Sequence, residues 1–215
     1  SVGRSGLDLD VTVSGRALTR AQSILDGNGS IDAGGYGASL DGLRNSRVKL
    51  TGVETCGGLY LLSDDRLSQD LDIETNFHNV ALGNNVVSMA RSKLKTTVAS
   101  SQKFLGSHLG GSGLNGDGIT VGWMEEVDIE ADISDAACYS VLIGNINGSE
   151  KPIRSRDIRF SRLRTRGGIT AALHATGVDG LHIDELDIEG TVTSCNLHHL
   201  SATVGRMRIK DTGPV

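Results

Sequence analysis

The side chains best suited to chemistry in this chain are a few carboxylates, arginines and histidines. Asp117 and Asp135 stand 18 residues apart. Two carboxylates that a fold brings together can act as proton donor and water-activating base, the pairing that cleavage of a glycosidic bond needs. Arg154, Arg156 and Arg159 fall within six positions. Planar guanidinium groups bind carboxylates and phosphates through paired hydrogen bonds, so this cluster suits an anionic glycan or phosphate. His174 and His198 take equivalent places in a repeat and are expected as stacked neighbours on one outer face. No cofactor or metal is expected. The six histidines lack metal-ligand spacing, and His198 and His199, being adjacent, would face opposite sides of a strand. No strained Gly-x-Ser-x-Gly turn, phosphate loop or dinucleotide fingerprint occurs.

The elements that must position these groups repeat along the chain. One aliphatic pattern reads Val48-x-Leu50, Leu71-x-Ile73, Leu94-x-Thr96, Val127-x-Ile129, Ile158-x-Phe160, Leu181-x-Ile183, Met207-x-Ile209, with steps of 23, 23, 33, 31, 23 and 26 residues. Between its copies runs a second: Ala38-x-Leu40, Leu59-x-Leu61, Val80-x-Leu82, Ile119-x-Val121, Val141-x-Ile143, Ala171-x-Leu173, Cys195-x-Leu197. Residues two apart on a strand share a face. Short strands recurring every 20–30 residues or so indicate a solenoid, stacked so that each pattern becomes an interior column. The expected fold is therefore all-β: a single right-handed parallel β-helix of about seven to eight coils over residues 34–215, a rod on the order of 35 Å long. Composition agrees, because 29 glycines serve tight corners while only 2 prolines interrupt strand ladders.

Residues 1–33 differ. Leu7, Leu9, Val11 and Val13 alternate as a strand. Ala17, Leu18, Ala21, Ile24 and Leu25 fall at helical spacing before Gly27, which predicts a short helix capping the first coil. No cap is expected at the other end, where a partner chain or a further domain would cover the last rung. Two segments break the period, 99–117 with Phe104 and His108, and 144–156 with Pro152. Loops thrown from a rigid scaffold are common binding surfaces.

Charges follow the same rhythm. The outward residue of the first pattern runs Lys49, Asp72, Lys95, Asp128, Arg159, alternating in sign. Opposite charges on adjacent strands are favourable, so these read as register-setting ladders. An acidic coil (Glu125, Glu126, Asp128, Glu130, Asp132, Asp135) precedes a basic one (Lys151 to Arg166) and would partly neutralise it. Net charge is −5, which disfavours a nucleic-acid partner. Of three cysteines, Cys195 falls in an interior column. Cys56 and Cys138 lie three coils apart, roughly 14 Å by strand spacing, beyond disulfide reach. No segment is long and apolar enough to span a membrane, so no membrane partner is expected.

The segment Asn115-Gly-Asp117-Gly-Ile119-Thr-Val121, then Val127-Asp-Ile129, then Asp135-Ala-Ala-Cys138, resembles the polygalacturonase family of right-handed β-helix hydrolases. That family has Asn-Thr-Asp-Gly-Ile, a Val-x-Ile strand and Gly-Asp-Asp-Cys. The resemblance covers about 30 residues. It implies the pectin-lyase-like fold and maps the first acid onto Asp117. The Asp-Asp pair falls on Ala136 and Ala137, with Asp135 as the nearby substitute, and the family's Gly-His-Gly is absent. Arg208-Ile209-Lys210 matches its Arg-Ile-Lys on the other strand column. A lyase arrangement would cast Asp128 and Glu130 as calcium ligands and Arg159 as base.

The whole also resembles phage tail-spike and tail-fibre proteins. That resemblance implies a structural or receptor-binding rod of a virion, or another extracellular setting. The expected partners are a host polysaccharide or cell-surface glycan, held by Arg154, Arg156, Arg159, His174 and His198, and either other virion proteins or two further copies in a homotrimer. The alternative is a polysaccharide-degrading hydrolase or lyase using Asp117 and Asp135.

Overall fold

The computed structural model describes residues 6–14, 36–53, 57–61, 67–80, 83–100, 117–136, 139–144, 155–167, 171–191, 193–198 and 201–212. The helix expected over Ala17–Leu25 lies outside them, as do Cys56, Cys138, Phe104, His108 and Arg154. Among the described residues the protein is all-β, with thirteen strands and no helix. They are β1 (Asp8–Ser14), β2 (Tyr36–Leu40), β3 (Arg44–Val53), β4 (Gly57–Leu61), β5 (Ser68–Val80), β6 (Asn84–Ser100), β7 (Ile119–Ser134), β8 (Tyr139–Ile143), β9 (Ser155–Arg166), β10 (Ala171–Thr176), β11 (Val178–Gly190), β12 (Cys195–His198) and β13 (Ala202–Asp211).

Every pairing is parallel, and the strands form one sheet with two ladders. The long ladder runs β1, β3, β5, β6, β7, β9, β11, β13; the short one runs β2, β4, β6, β7, β8, β10, β12. β6 and β7 belong to both, because each is long enough to turn a corner and continue. Their inner faces share one apolar cluster.

Register shows why the residues alternate. On the long ladder one inward column is Leu9, Val48, Ile73, Leu94, Ile129, Phe160, Ile183, Val204. The next is Val11, Leu50, Thr75, Thr96, Ala131, Leu163, Leu186, Met207. The aliphatic pattern is thus right in kind and slipped in places. Val48 stacks on Ile73 rather than Leu71, and Leu181 stacks on Ala202 rather than Met207. On the short ladder Leu61 meets Val86 rather than Leu82, and Cys195 meets Leu173 rather than Ala171. Each rung offers three or four inward positions, and any adjacent two satisfy an x-alternation. The slip at Met207 has its own cause. Register shifts by one residue between β7 and β9, and the extra position, Ser161, recurs as Asp184 and Gly205.

A corner column holds the rungs in phase. Gly6, Asn45, Asp70, Arg91, Glu126, Asp157 and Gly180 stand in register, all with φ between 45° and 83°. Glycine, asparagine and aspartate tolerate this left-handed conformation best. The kink turns nearby amides out of the ladder, and they donate to serine hydroxyls of the neighbouring rung: Leu7 N to Ser46 Oγ at 3.2 Å, Leu71 N to Ser92 Oγ at 2.9 Å, and Gly180 N to Ser201 Oγ at 3.1 Å. Buried backbone donors need such partners.

Candidate functional site

The outer face of the long ladder carries nearly all the ionic chemistry. Period-two alternation points every second side chain of a strand outward, and from β1 to β9 the outward rows change sign rung by rung. One row reads Asp8, Arg47, Asp72, Lys93, Asp128, Arg159, His182; the next reads Asp10, Lys49, Glu74, Lys95, Glu130, Arg162. The signs alternate, but the expected column is split between the two rows: Lys49 faces Glu74 rather than Asp72, and Lys95 faces Glu130 rather than Asp128, while Asp128 does face Arg159. The acidic β7 lies directly on the basic β9. Arg156 reaches Glu125 at 2.9 Å, and Arg166 and Arg164 reach Asp132 at 2.7 and 3.7 Å. The hydrogen bond to Glu125 raises the Arg156 pKa further above its ordinary value.

Arg159 behaves differently. Its Nε and Nη2 both bond Asp184 Oδ2, at 3.0 and 2.6 Å, while His182 Nε2 lies 2.9 Å from Asp184 Oδ1. Asp184 can receive both because it occupies the extra bulge position. The Arg159 hydrogen bond holds the Asp184 carboxyl below the usual range; desolvation is the next effect and opposes it, and the guanidinium's charge and then His182 add to the lowering. Beside this triad lies a groove of about 370 Å³ lined by Asp157, Arg159, Gly180, His182, Ser201 and Thr203, among others. Its walls offer donors and acceptors together, and the carboxylates already balance the cations.

The structure places the two carboxylates singled out from sequence in different surroundings. Asp117 is 4 % exposed. Its Oδ2 accepts the Thr120 hydroxyl and its Oδ1 the Tyr139 amide, both at 3.1 Å, fastening the start of β7 to β8 on the next rung. Asp135 is exposed at the corner after β7, with φ 53°, and its amide donates to the Arg166 carbonyl at 2.8 Å. One carboxylate faces the interior and the other faces solvent.

His174 and His198 do approach, with ring centroids 5.7 Å apart, and Tyr139 extends the contact to His174 at 5.1 Å. They meet diagonally. His174 is opposite Asn196, and His198 opposite Thr176, because of the register slip at Cys195. The His174 Nδ1 is buried without a hydrogen-bond partner. Arg154 lies outside the described residues. His182 and Asp184, outward ladder residues by sequence, were not among the candidate site residues; the signal for them was the extra residue between Ile183 and Leu186.

Among the described residues no three His, Cys, Asp or Glu side chains gather into a metal-binding group, and no helix is long and apolar enough to cross a membrane. Cys195 is a half-buried free thiol, and burial pushes its pKa up. The chain matches no family model, no curated protein and no solved structure.

Proposed function

We propose that the chain is a right-handed parallel β-helix serving as a rigid structural and receptor-binding rod of a virion, of the tail-spike or tail-fibre kind, which touches cell-surface polysaccharide. The solenoid reading rests on the two parallel ladders around one core, joined by β6 and β7. The observation that carries the function is how the charged residues are engaged. Arg156 and Arg159 are tied to Glu125 and Asp184, and Asp117 is held inside by Thr120 and Tyr139. Charges that neutralise one another from rung to rung stiffen a shaft. A hydrolase needs a proton-donating carboxyl within hydrogen-bond reach of the bridging oxygen, and a buried Asp117 does not present one.

The groove beside Arg159 and His182 is the surface for glycan contact. Its paired cation and carboxylate favour the hydroxyls of a weakly charged sugar over a strongly anionic one, because an anion would have to displace Asp184.

Incubation with a panel of capsular, lipopolysaccharide and pectin-type polysaccharides tests this reading. Retention of a glycan, weakened at least about tenfold by Arg159→Ala, is expected without new reducing ends or unsaturated products. Product formed by the wild type and lost in Asp117→Asn would overturn it in favour of a hydrolase or lyase.

A further inference from the structure

Of the side chains lining the groove beside Arg159, only His182 is of a type that changes charge between about pH 5 and 8. Geometry fixes where its protons sit. Nε2 lies 2.9 Å from Asp184 Oδ1. An ionised carboxylate only accepts hydrogen bonds, so Nε2 carries a hydrogen in both charge states of the ring. Asp184 is ionised across this range, because the hydrogen bond from Arg159 holds its carboxyl below the usual carboxylate values. The proton that comes and goes is therefore the one on Nδ1. That atom has no hydrogen-bond partner among the described residues, and the side chain is 48 % exposed. There the neutral imidazole is an acceptor and the imidazolium a charged donor.

The charges that face His182 decide what this change does. On β9 it stands opposite Arg159, with Asp157 two residues before. On its own strand Asp184 lies two residues beyond, and Asp179 three before, opposite Arg156. On β13 it stands opposite Thr203, and the first cation of that strand, Arg206, lies 3.9 Å from Glu185. Past Arg159, β7 presents Asp128. Arg159 spends Nε and Nη2 on Asp184 Oδ2. With a neutral His182 the carboxylates of Asp157 and Asp184 stand against one guanidinium. With a protonated His182, two cations balance them.

We infer that His182 sets which sugars the groove takes: uncharged sugars when its imidazole is neutral, and carboxylate-bearing sugars as well when it is protonated. The inference rests on the reading of the groove as a glycan surface and names the sugar class admitted in acid. A sugar carboxylate arriving at neutral pH meets two acids and the Nδ1 lone pair, and it reaches Arg159 only by displacing Asp184. Protonation adds a charge-assisted donor that no carboxylate of the chain has taken, so Asp184 stays in place. Sugar hydroxyls both donate and accept, and they find a partner at Nδ1 in either state.

Methyl β-glucuronide and methyl β-glucoside, which differ in a carboxylate against a hydroxymethyl group, test this on the full chain at about pH 5.5 and about pH 8. Binding is read from the backbone amide NMR signals of Gly180, His182, Ser201 and Thr203. The glucuronide is expected to bind about threefold to fivefold more tightly at the lower pH, the worth of one exposed charge pair, and the glucoside equally at both. His182→Gln, whose amide still donates to Asp184, is expected to keep glucoside binding and to lose the pH dependence of the glucuronide. A glucuronide bound equally at both pH values, or a pH dependence that survives His182→Gln, would overturn the inference and leave the groove a glycan surface. Signals unmoved by either sugar at either pH would sink the glycan reading of the groove, and the inference with it.

Discussion

Asn84 stands inside the core, in the same column as Leu59 and Ile119, and its Oδ1 accepts the Leu59 amide at 2.7 Å. Its Nδ2 crosses from the short ladder to the long one and donates to Thr75 Oγ1 at 2.8 Å and Thr96 Oγ1 at 2.6 Å. Those hydroxyls are themselves 2.7 Å apart. One buried amide therefore ties three rungs and both ladders together in a mostly apolar interior, at the point where β6 begins to serve both.

Replacing Asn84 by Ala strands the Leu59 amide and leaves two threonine hydroxyls with one partner each. Buried polar groups left unsatisfied cost roughly 1–3 kcal/mol apiece, so Asn84→Ala is expected to destabilise by about 2–4 kcal/mol. Asn84→Leu restores volume but not polarity. Combined with Thr75→Val and Thr96→Val it is expected to recover part of the loss, because members of one network couple non-additively. Denaturant melts of the single, double and triple variants measure this. Strict additivity would mean that the three side chains do not act as a unit.

Thr165 is the opposite case. It sits in the inward column between Ile133 and Ile188, fully buried, and its hydroxyl has no hydrogen-bond partner. Thr165→Val keeps the shape and removes the orphan oxygen. It is expected to stabilise by about 1 kcal/mol, a rise in Tm of about 2–4 °C. An unchanged or lower Tm would show that the hydroxyl is satisfied in solution.

The ladders were legible because aliphatic alternation is enforced by the core at every rung. Leu59, Val121, Ile129 and Ile183 all face inward for that reason. Register was not, because a rung with inward Ser46, Val48 and Leu50 presents several equivalent pairs, and only the corner residues and bulges choose among them. Asn84 was missed because an asparagine between Gly83 and Asn85 reads as a turn. Sign alternation was expected along one column, but Lys49 and Lys95 belong to one row and Asp72 and Asp128 to the next, for the same reason of register. Asp117 and Asp135 drew attention as carboxylates, and their placement reflects what short acidic side chains do at strand starts and left-handed corners: one accepts stray hydrogen bonds, the other tolerates φ 53°. The helix expected at Ala17–Leu25 lies outside the described residues.

Gly83 and Gly118 meet backbone to backbone where the short ladder passes from β6 to β7. Gly83 N donates to the Asp117 carbonyl at 2.8 Å, and a Cβ on Gly83 would fall onto the Gly118 carbonyl. The obstacle is backbone on the neighbouring rung, so no side chain can rotate away. Gly83→Ala is expected to cost at least about 3 kcal/mol, more than Gly177→Ala, where a Cβ meets open space and only the positive φ resists. Thermal melts of the two variants compare them directly. Equal losses would mean that conformational freedom, not close approach, is why Gly83 is glycine.

The charge ladder makes stability depend on acid in a stated direction. In the folded chain the Asp184 carboxyl is lowered chiefly by its hydrogen bond from Arg159, and Glu189 chiefly by that from Lys210. A carboxyl whose folded pKa lies below its unfolded value releases its proton more readily when folded. Its contribution is therefore complete above the unfolded pKa, roughly 4 for these side chains, and disappears as pH falls through the folded value. Tm is expected to stay level from about pH 7 to 5 and to drop below about pH 4. Arg159→Gln removes the first cause at Asp184, so its drop should be shallower than the wild type's. High salt should flatten both, since these pairs are exposed and screened. A wild-type Tm that rises between pH 5 and pH 3 would contradict the ladder as a source of stability, because it would require the carboxylates to repel one another more than they attract the arginines a rung away.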